Sequence, residues 1–299
     1  MTFSVVAKDE KTGEFGVAVQ SHWFSVGSVV SWAKAGVGAV ATQSMVEISY
    51  GPLGLELMSS GKTASEALEG LLKSDSKSET RQVAFVDPKG RVAVHTGKKC
   101  IPYAGHIKGD GFSCQANLMR NGKIWGAIAN AYRQNSKLNL AERLIATLEA
   151  GEEAGGDIHG KQSAVILVVG RDLSPNSWSG RLVDLRVEDH PTPIPELKRL
   201  LRLQRGYEWA NKGDEFLNAK KYGESLNAYA KAGEFAPEIE ELQFWQAVSL
   251  VQSGKLKAAK PIFQKVFAKN ADWRQVTKSL SQVGLLKGGP QVIRTILSD

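Results

Sequence analysis

The chain has 299 residues, of which 42% are hydrophobic, and it contains two cysteines. This length is enough for two domains with sizeable cores. The longest apolar runs, such as AVILVVG, are far shorter than the roughly 20 residues that span a bilayer, and two cysteines cannot form a disulfide scaffold. We therefore expect a cytoplasmic protein without a membrane span or a secretory signal.

The net charge of +7 is unevenly distributed along the chain. Residues 190–299 carry 17 Lys and Arg against 11 Asp and Glu, whereas residues 1–189 carry 21 against 20. A basic region can bind nucleic acid or an acidic partner. Here acidic residues are interspersed with the basic ones along helical segments, which is typical of a solvated surface. We expect no nucleic-acid partner.

The first 44 residues have the composition of strands joined by turns. FSVVAKD and EFGVAVQS are rich in apolar and β-branched residues, and Gly13 suits the hairpin between them. VGSVVSWAKAGVGAVATQS continues the pattern, with a turn at Gly36 and Gly38. These glycines and Ala41 also match a dinucleotide-binding loop, but that motif requires a helix to begin within it. VGAVATQS has strand character, so we predict strand-turn-strand and no cofactor.

Pairs of helices then alternate with pairs of strands. Pro52 suits a first helical turn, and Thr63 with Glu66 forms a capping-box pattern. Strands return in RQVAFVDPKGRVAVHTG, GFSCQANLM, SAVILVVG and RLVDLRVE. Adjacent runs of strands favour antiparallel sheets covered by helices. We predict an α+β fold, a four-layer αββα sandwich of two stacked sheets between helix pairs, with helices near 52–60, 63–73, 121–134 and 140–150.

Three prolines mark a domain boundary. Pro191, Pro193 and Pro195 lie within VEDHPTPIPELKRL, and proline disfavours helix interiors and central strands. Strand patterns occur only before this segment. We predict a first domain over 1–189, a proline-rich linker over 190–195 and an all-helical domain over 196–299.

The helical domain resembles the tetratricopeptide (TPR) repeat. Large, small and aromatic residues recur there at the spacing of that repeat, followed by a proline that closes the second helix: Trp209, Gly213, Phe216, Ser225, Tyr229, Ala232 and Pro237. The resemblance implies an antiparallel helix pair near 203–218 and 222–235, with Gly213 at the close crossing and the three aromatic residues buried. TPR stacks often bind peptides, so a protein partner is one expectation, and a structural appendage or a homo-oligomer contact is the alternative.

The strand order of the first domain, beginning at a hydroxyl residue, resembles the N-terminal-nucleophile (Ntn) hydrolases such as proteasome β-subunits. Thr2 becomes the N-terminal residue if Met1 is removed. In WAKAGVGAVATQ, Lys34 matches the lysine that precedes a glycine turn in those enzymes. In GGDIHGKQSAVILVV, Asp157 matches the aspartate of an Asp-x-x-Ser-Gly loop, but Gly160 stands in place of the serine.

Residues 1–189 as a whole are similar to one family of unknown function with Ntn-hydrolase-like features, several members of which have a TPR-like tail. The similarity is carried by the stretches MTFSVVAKD, AGVGAVATQ, YGPLGLEL and GKQSA. It implies a fold and no particular substrate, because folds host many functions.

The resemblance implies a short set of catalytic groups. The Thr2 hydroxyl would be the nucleophile and its α-amine the base, with the Lys34 ammonium lowering the pKa of that amine. Further groups could bind substrate or stabilise an oxyanion: Ser21, His22, Gln43, Ser44, Gln115, Asn117, Asp157, Gln162 and Ser163. His95, His106 and His159 are too scattered for a metal-ligand pattern, so we expect no metal.

The leading hypothesis is therefore an Ntn-type amidohydrolase that acts on a small amide or short peptide. One alternative is a binding protein that has the same fold without the reaction. The other is a scaffold whose TPR-like tail is the functional part. We expect a homo-oligomer in each case.

Overall fold

The computed structural model describes residues 2–174, 176 and 179–298. The chain divides into two compact units, Met1–Lys198 and Arg199–Asp299. The first unit contains these strands and helices: β1 (Thr2–Lys8), β2 (Phe15–Ser21), β3 (Ser31–Lys34), β4 (Gly38–Ser44), α1 (Tyr50–Ser59), α2 (Ala64–Ser74), β5 (Arg81–Val86), β6 (Val92–Thr96), β7 (Gly105–Gly109), β8 (Phe112–Asn117), α3 (Ile124–Gln134), α4 (Leu140–Glu153), β9 (Ser163–Val169) and β10 (Arg181–Val187).

The strands form two sheets in which every neighbouring pair is antiparallel. The larger sheet has the order β10-β9-β2-β1-β8-β7, and the smaller has the order β3-β4-β5-β6. In the larger sheet β1 lies between β2 and β8, so Thr2 pairs with Ser21 on one side and Asn117 on the other. This central position holds both edges of β1 in hydrogen-bonded ladders.

An apolar core lies between the two sheets. Alternate side chains of each strand point to the same face, and many of those that point toward the other sheet are apolar. Val6 of β1, Val17 of β2 and Val165 of β9 pack in one cluster with Ala41 of β4 and Ala84 of β5. On the smaller sheet, α1 and α2 cover the opposite face. On the larger sheet, α3 and α4 do so. The prediction of two antiparallel sheets with helices is confirmed.

The strand-turn-strand predicted around Gly36 and Gly38 is confirmed, and the dinucleotide-loop alternative fails because β4, not a helix, follows the turn. Gly38 has φ +151°, and a Cβ there would lie 2.1 Å from the Val86 carbonyl oxygen. The glycine therefore permits close strand packing rather than phosphate binding. The predicted strand differs in one place, since Val26–Ser28 forms a 3-10 turn.

The first helix begins at Tyr50 rather than Pro52, and the second has the predicted capping box. The Thr63 hydroxyl accepts from the Glu66 N–H, and the Glu66 carboxylate accepts from the Thr63 N–H. Strand β7 was not predicted on its own, because its sequence GHIKG has glycine at both ends and little apolar alternation.

The region beyond the prolines is helical over most of the residues that the structure describes. Helix α5 (Pro193–Asn218) begins inside the predicted linker, because proline is tolerated in the first helical turn. The remaining helices are α6 (Tyr222–Phe235), α7 (Glu240–Gln252), α8 (Leu256–Lys269), α9 (Trp273–Gln282) and α10 (Gly289–Leu297).

Helices α5 and α6 approach closely at Gly213. A Cβ at Gly213 would lie 2.9 Å from the Tyr229 ring, and the Ser225 hydroxyl donates to the Gly213 carbonyl oxygen at 2.9 Å. Tyr229 is fully buried, but Trp209 and Phe216 are only half-buried, contrary to expectation. The ammonium groups of Lys231 and Lys212 lie over the Trp209 ring, 4.2 and 4.5 Å from its centroid, in a cation–π arrangement.

We expect Gly213→Leu to lower the free energy of unfolding of the helical unit by roughly 1–3 kcal/mol, because the larger side chain overpacks the crossing against Tyr229. Gly233→Leu is the control, since nothing lies within 4 Å of a Cβ at that position in α6. Denaturant unfolding followed by tryptophan fluorescence measures both variants. Equal stability of the two would contradict the close crossing.

Candidate functional site

The Thr2 hydroxyl lies at the edge of the space between the two sheets. Its side chain is on the same face of β1 as Ser4 and Val6, and Thr2 is only 6% exposed. The Oγ1 atom is 3.0 Å from the Ser21 hydroxyl oxygen, and either group can donate this hydrogen bond. The pairing of β1 with β2 therefore sets the position of the Thr2 hydroxyl.

Two side-chain amides hold the main chain of Thr2. Its carbonyl oxygen accepts from Gln43 Nε2 at 3.3 Å and from Asn117 Nδ2 at 3.4 Å. Both amides also donate to a single atom, Gln82 Oε1, at 2.7 and 3.0 Å. Because an amide oxygen can only accept, Gln82 orients both neighbouring amides with their N–H groups toward Thr2.

This amide network continues into the core between the sheets. Gln82 Nε2 donates to the Thr96 hydroxyl and to the Ala116 carbonyl oxygen. The Ser4 hydroxyl donates to Gln43 Oε1 and accepts from Gln115 Nε2, both at 2.6 Å. Buried polar networks whose members are satisfied make a core rigid and specific. The network thus links strands of both sheets directly beneath Thr2.

Thr2 faces a cleft of about 390 Å³. Its polar lining residues are Thr2, Ser21, Ser44 and Asn117, and its other described lining residues are apolar: Trp23, Val26, Val29, Val30, Met45, Val46, Ile101 and Leu118. Concave sites of this kind, mostly apolar with a few convergent polar groups, are where proteins bind small molecules.

Strained backbone occurs at two points of the cleft lining. Ser44 has φ +73° and Leu118 has φ +56°, values in the left-handed region that side chains other than glycine rarely adopt. Such residues cost free energy and cluster at functional sites. The Ser44 side chain has no hydrogen-bond partner among the described residues, so its hydroxyl is available to a ligand in the cleft.

Asp157 holds two loops beside the cleft. It is buried, and its carboxylate accepts the backbone N–H of His22 at 3.0 Å and of His159 at 2.9 Å. The loop then turns at Gly160 with φ +108°. That conformation favours glycine, which explains why a glycine stands where the Ntn resemblance expects a serine.

Gln162 and Ser163 support the wall of the cleft. The Ser163 hydroxyl donates to the Trp23 carbonyl oxygen and accepts from the Val26 N–H at 3.1 Å, while the Gln162 N–H donates to the Ser21 carbonyl oxygen at the start of the same segment. These contacts fix the main chain of the segment that carries Trp23. Neither residue is among the described lining residues of the cleft.

The remaining predicted residues divide between the cleft and its surroundings. Ser21, Ser44 and Asn117 line it with Thr2. Gln43 lies beneath it, in contact with the Thr2 carbonyl oxygen. Other predicted residues are not among its described lining residues: His22, Gln115 and Asp157. Gln82 was missed, because a glutamine within a strand has no sequence pattern that separates it from an ordinary core or surface residue.

The predicted proximity of Lys34 to Thr2 is wrong. Lys34 ends β3 and pairs with Gly38, whereas Ser44, at the other end of β4, lines the cleft. The length of β4 separates these ends by about 20 Å at roughly 3.4 Å per residue. The Lys34 ammonium donates to the Ser59 hydroxyl at 3.2 Å. The turn after Lys34 thus lies at the opposite end of the hairpin from the cleft.

Two other reactive side chains, Cys114 and His106, are not among the described lining residues of the cleft. Burial raises the pKa of the Cys114 thiol far above neutrality, so it is not a thiolate nucleophile. Burial also lowers the pKa of His106, whose Nδ1 contacts the Thr96 hydroxyl. Within the described residues no group of three or more His, Cys, Asp or Glu could hold a metal ion.

Among the helices that the structure describes, none is long and apolar enough to cross a membrane.

The fold and the site define a mixed α+β protein with two antiparallel sheets, a threonine in an apolar cleft and an all-helical C-terminal region. The family model DUF1028, described as a family of unknown function, matches residues 2–197, and the chain belongs to this family. The crystal structure of protein SPO2555 from Silicibacter pomeroyi, itself assigned to DUF1028, matches with 29% identity and a TM-score of 0.60 over 67% of this chain and 88% of that one. No curated protein matches the chain.

Gln82→Leu should lower the free energy of unfolding by on the order of 2–5 kcal/mol, because two buried amides lose their shared acceptor. Gln20→Leu is the matched control. Gln20 is equally buried, on β2, but neither polar atom of its side chain has a partner among the described residues. We expect this variant to be as stable as the wild type or more stable. Denaturant unfolding of both tests whether Gln82 organises the network.

Ser44→Gly should be more stable than Ser44→Ala by about 1–2 kcal/mol, because glycine adopts the left-handed backbone without the steric cost that alanine retains. Both changes remove the hydroxyl, so the comparison isolates the backbone. The difference in melting temperature measures it, and a less stable Ser44→Gly would show that Ser44 is not strained.

Proposed function

We propose that this protein is an Ntn-type amidohydrolase that acts on a small amide or short peptide, with Thr2 as the nucleophile. The observation that carries the proposal is the position of Thr2: its hydroxyl faces a cleft, and its main chain is held by Gln43 and Asn117. Such positioning lowers the entropic cost of bringing a nucleophile to a bound carbonyl group.

The arrangement of the elements supports this proposal. Two antiparallel sheets pack face to face, with α1 and α2 on one outer face and α3 and α4 on the other. We interpret this as the four-layer αββα sandwich of the Ntn hydrolases, in which the first strand carries the nucleophile. Fold alone does not establish an activity, so the chemistry has to follow from the groups at Thr2.

The mechanism needs a base next to the hydroxyl, and the α-amine of Thr2 supplies it once Met1, which lies outside the described residues, is removed. The amine accepts the hydroxyl proton as Oγ1 attacks the amide carbonyl carbon. The C–N bond then breaks, and the proton passes to the departing amine. Water, deprotonated by the same α-amine, then attacks the ester carbonyl carbon. The bond from that carbon to Oγ1 breaks, the carboxylic acid leaves, and the proton passes from the amine to Oγ1, which restores the Thr2 hydroxyl.

Two groups expected from the resemblance have to be reassigned. Lys34 is too distant to act on the α-amine, so we assign it no role in catalysis. The amide donors of Gln43 and Asn117 are engaged by Thr2 and Gln82. The Ser44 hydroxyl is therefore our candidate donor to the oxyanion.

The test is a panel of small amides and short peptides assayed with untagged protein, together with the intact mass of each sample. We expect loss of the Met1 mass, loss of activity in Thr2→Ala and substantial activity in Thr2→Ser, which retains both the hydroxyl and the amine. Lys34→Ala is the control and should leave activity unchanged, because Lys34 lies outside the cleft. Activity in Thr2→Ala would show that the nucleophile is another residue.

A binding protein without catalysis is the second candidate, and the predominantly apolar lining of the cleft favours it. Retention of Met1 in the purified protein would support this candidate, because the α-amine of Thr2 would then be part of a peptide bond. A cytoplasmic homo-oligomer remains our prediction for either case.

We also propose that the helical region is a short TPR-like stack that serves in assembly or protein docking. The close α5–α6 crossing at Gly213, with Tyr229 packed against it, supports this interpretation. Gly213→Leu provides the test: loss of the oligomer or of a partner without loss of amide hydrolysis would assign assembly or docking to this region. An unchanged oligomer and an unchanged set of partners would favour a structural appendage.

A further inference from the structure

The lining of the Thr2 cleft divides into a small polar part and a large apolar part. Thr2, Ser21 and Asn117 lie side by side on adjacent strands of the larger sheet. The apolar part comes from the segment after β2, the segment after β4 and the residues around Ile101 and Leu118. A ligand in this cleft therefore meets hydrogen-bonding groups at the sheet end and hydrocarbon elsewhere.

None of the lining residues that the structure describes carries a charge. Two charged side chains that contact the segments lining the cleft have partners of their own. Arg81 donates to the Asp75 carboxylate at 2.8 Å and to the Met45 carbonyl oxygen at 2.7 Å. Asp157 accepts the N–H groups of His22 and His159. A charged ligand group in the cleft would consequently lose water without gaining an ionic partner.

We infer that the cleft takes an uncharged, apolar acyl group, so that the substrates are amides of medium-length aliphatic or aromatic carboxylic acids. This inference rests on the proposed function, because it places the amide group at Thr2. Burying an unpaired carboxylate costs far more than burying a methyl group. Amides of dicarboxylic acids, such as glutamyl and aspartyl compounds attacked at the side chain, should therefore bind poorly.

The binding experiment uses the full-length Thr2→Ala variant, in which the proposed nucleophile is absent and ligands are not consumed. Calorimetry compares octanamide with 8-amino-8-oxooctanoate, which has the same chain length and amide group but ends in a carboxylate. We expect octanamide to bind at least tenfold more tightly. Equal affinity, tighter binding of the carboxylate, or no binding of octanamide would overturn the inference.

A matched pair of variants locates the binding. Ile101 lines the cleft and is 44% exposed, whereas Ile48 is 45% exposed and is not among the lining residues. Ile101→Glu in the Thr2→Ala background should weaken octanamide binding at least tenfold, and Ile48→Glu should not. Equal effects of the two substitutions would place the ligand elsewhere.

Turnover by the wild-type protein separates the two proposals. Octanamide that binds in the cleft without being hydrolysed would contradict the amidohydrolase proposal and support the apolar specificity of the site. Hydrolysis of 8-amino-8-oxooctanoate in preference to octanamide would do the reverse: the activity would stand, and the inferred acyl specificity would be wrong.

Discussion

The site depends on one shared acceptor, the carboxamide oxygen of Gln82. It receives hydrogen bonds from an amide of its own sheet and an amide of the facing sheet, and these two amides in turn hold the Thr2 carbonyl oxygen. If the Gln82 amide were reversed, N–H groups would face N–H groups and the arrangement would fail. A single side chain, remote from the cleft surface, thus determines the geometry of the residue at its floor.

This dependence explains why polar residues are tolerated between the sheets. Unpaired buried amides are costly, whereas a satisfied network has a net cost close to zero and selects one alignment of the strands. The valine and alanine cluster around the network supplies the hydrophobic free energy, and the amides specify how the two sheets face each other.

The sequence predicted much of the fold, because strand composition, turn glycines and the Thr63 capping box are local signals. Four of the residues that it proposed, Thr2, Ser21, Ser44 and Asn117, line one cleft, since polar residues at strand ends can be recognised without knowing which ends meet. The prediction for Lys34 was wrong because it depended on a feature that is not local. The packing of the two sheets determines which end of the β3–β4 hairpin lies next to the cleft. Gln82 was missed for a related reason, because its role exists only through partners distant in sequence.

In the contacts that the structure describes, Gln43 and Asn117 hold Thr2 through its main chain, and this has an evolutionary consequence. A descendant could replace Thr2 with another residue and retain every amide contact, since the carbonyl oxygen that Gln43 and Asn117 hold is present in any residue. The three amides would then persist because the seam between the sheets needs them. Their presence in a relative would indicate a shared architecture, whereas the hydroxyl groups at positions 2 and 44 would indicate whether the proposed chemistry is shared with it.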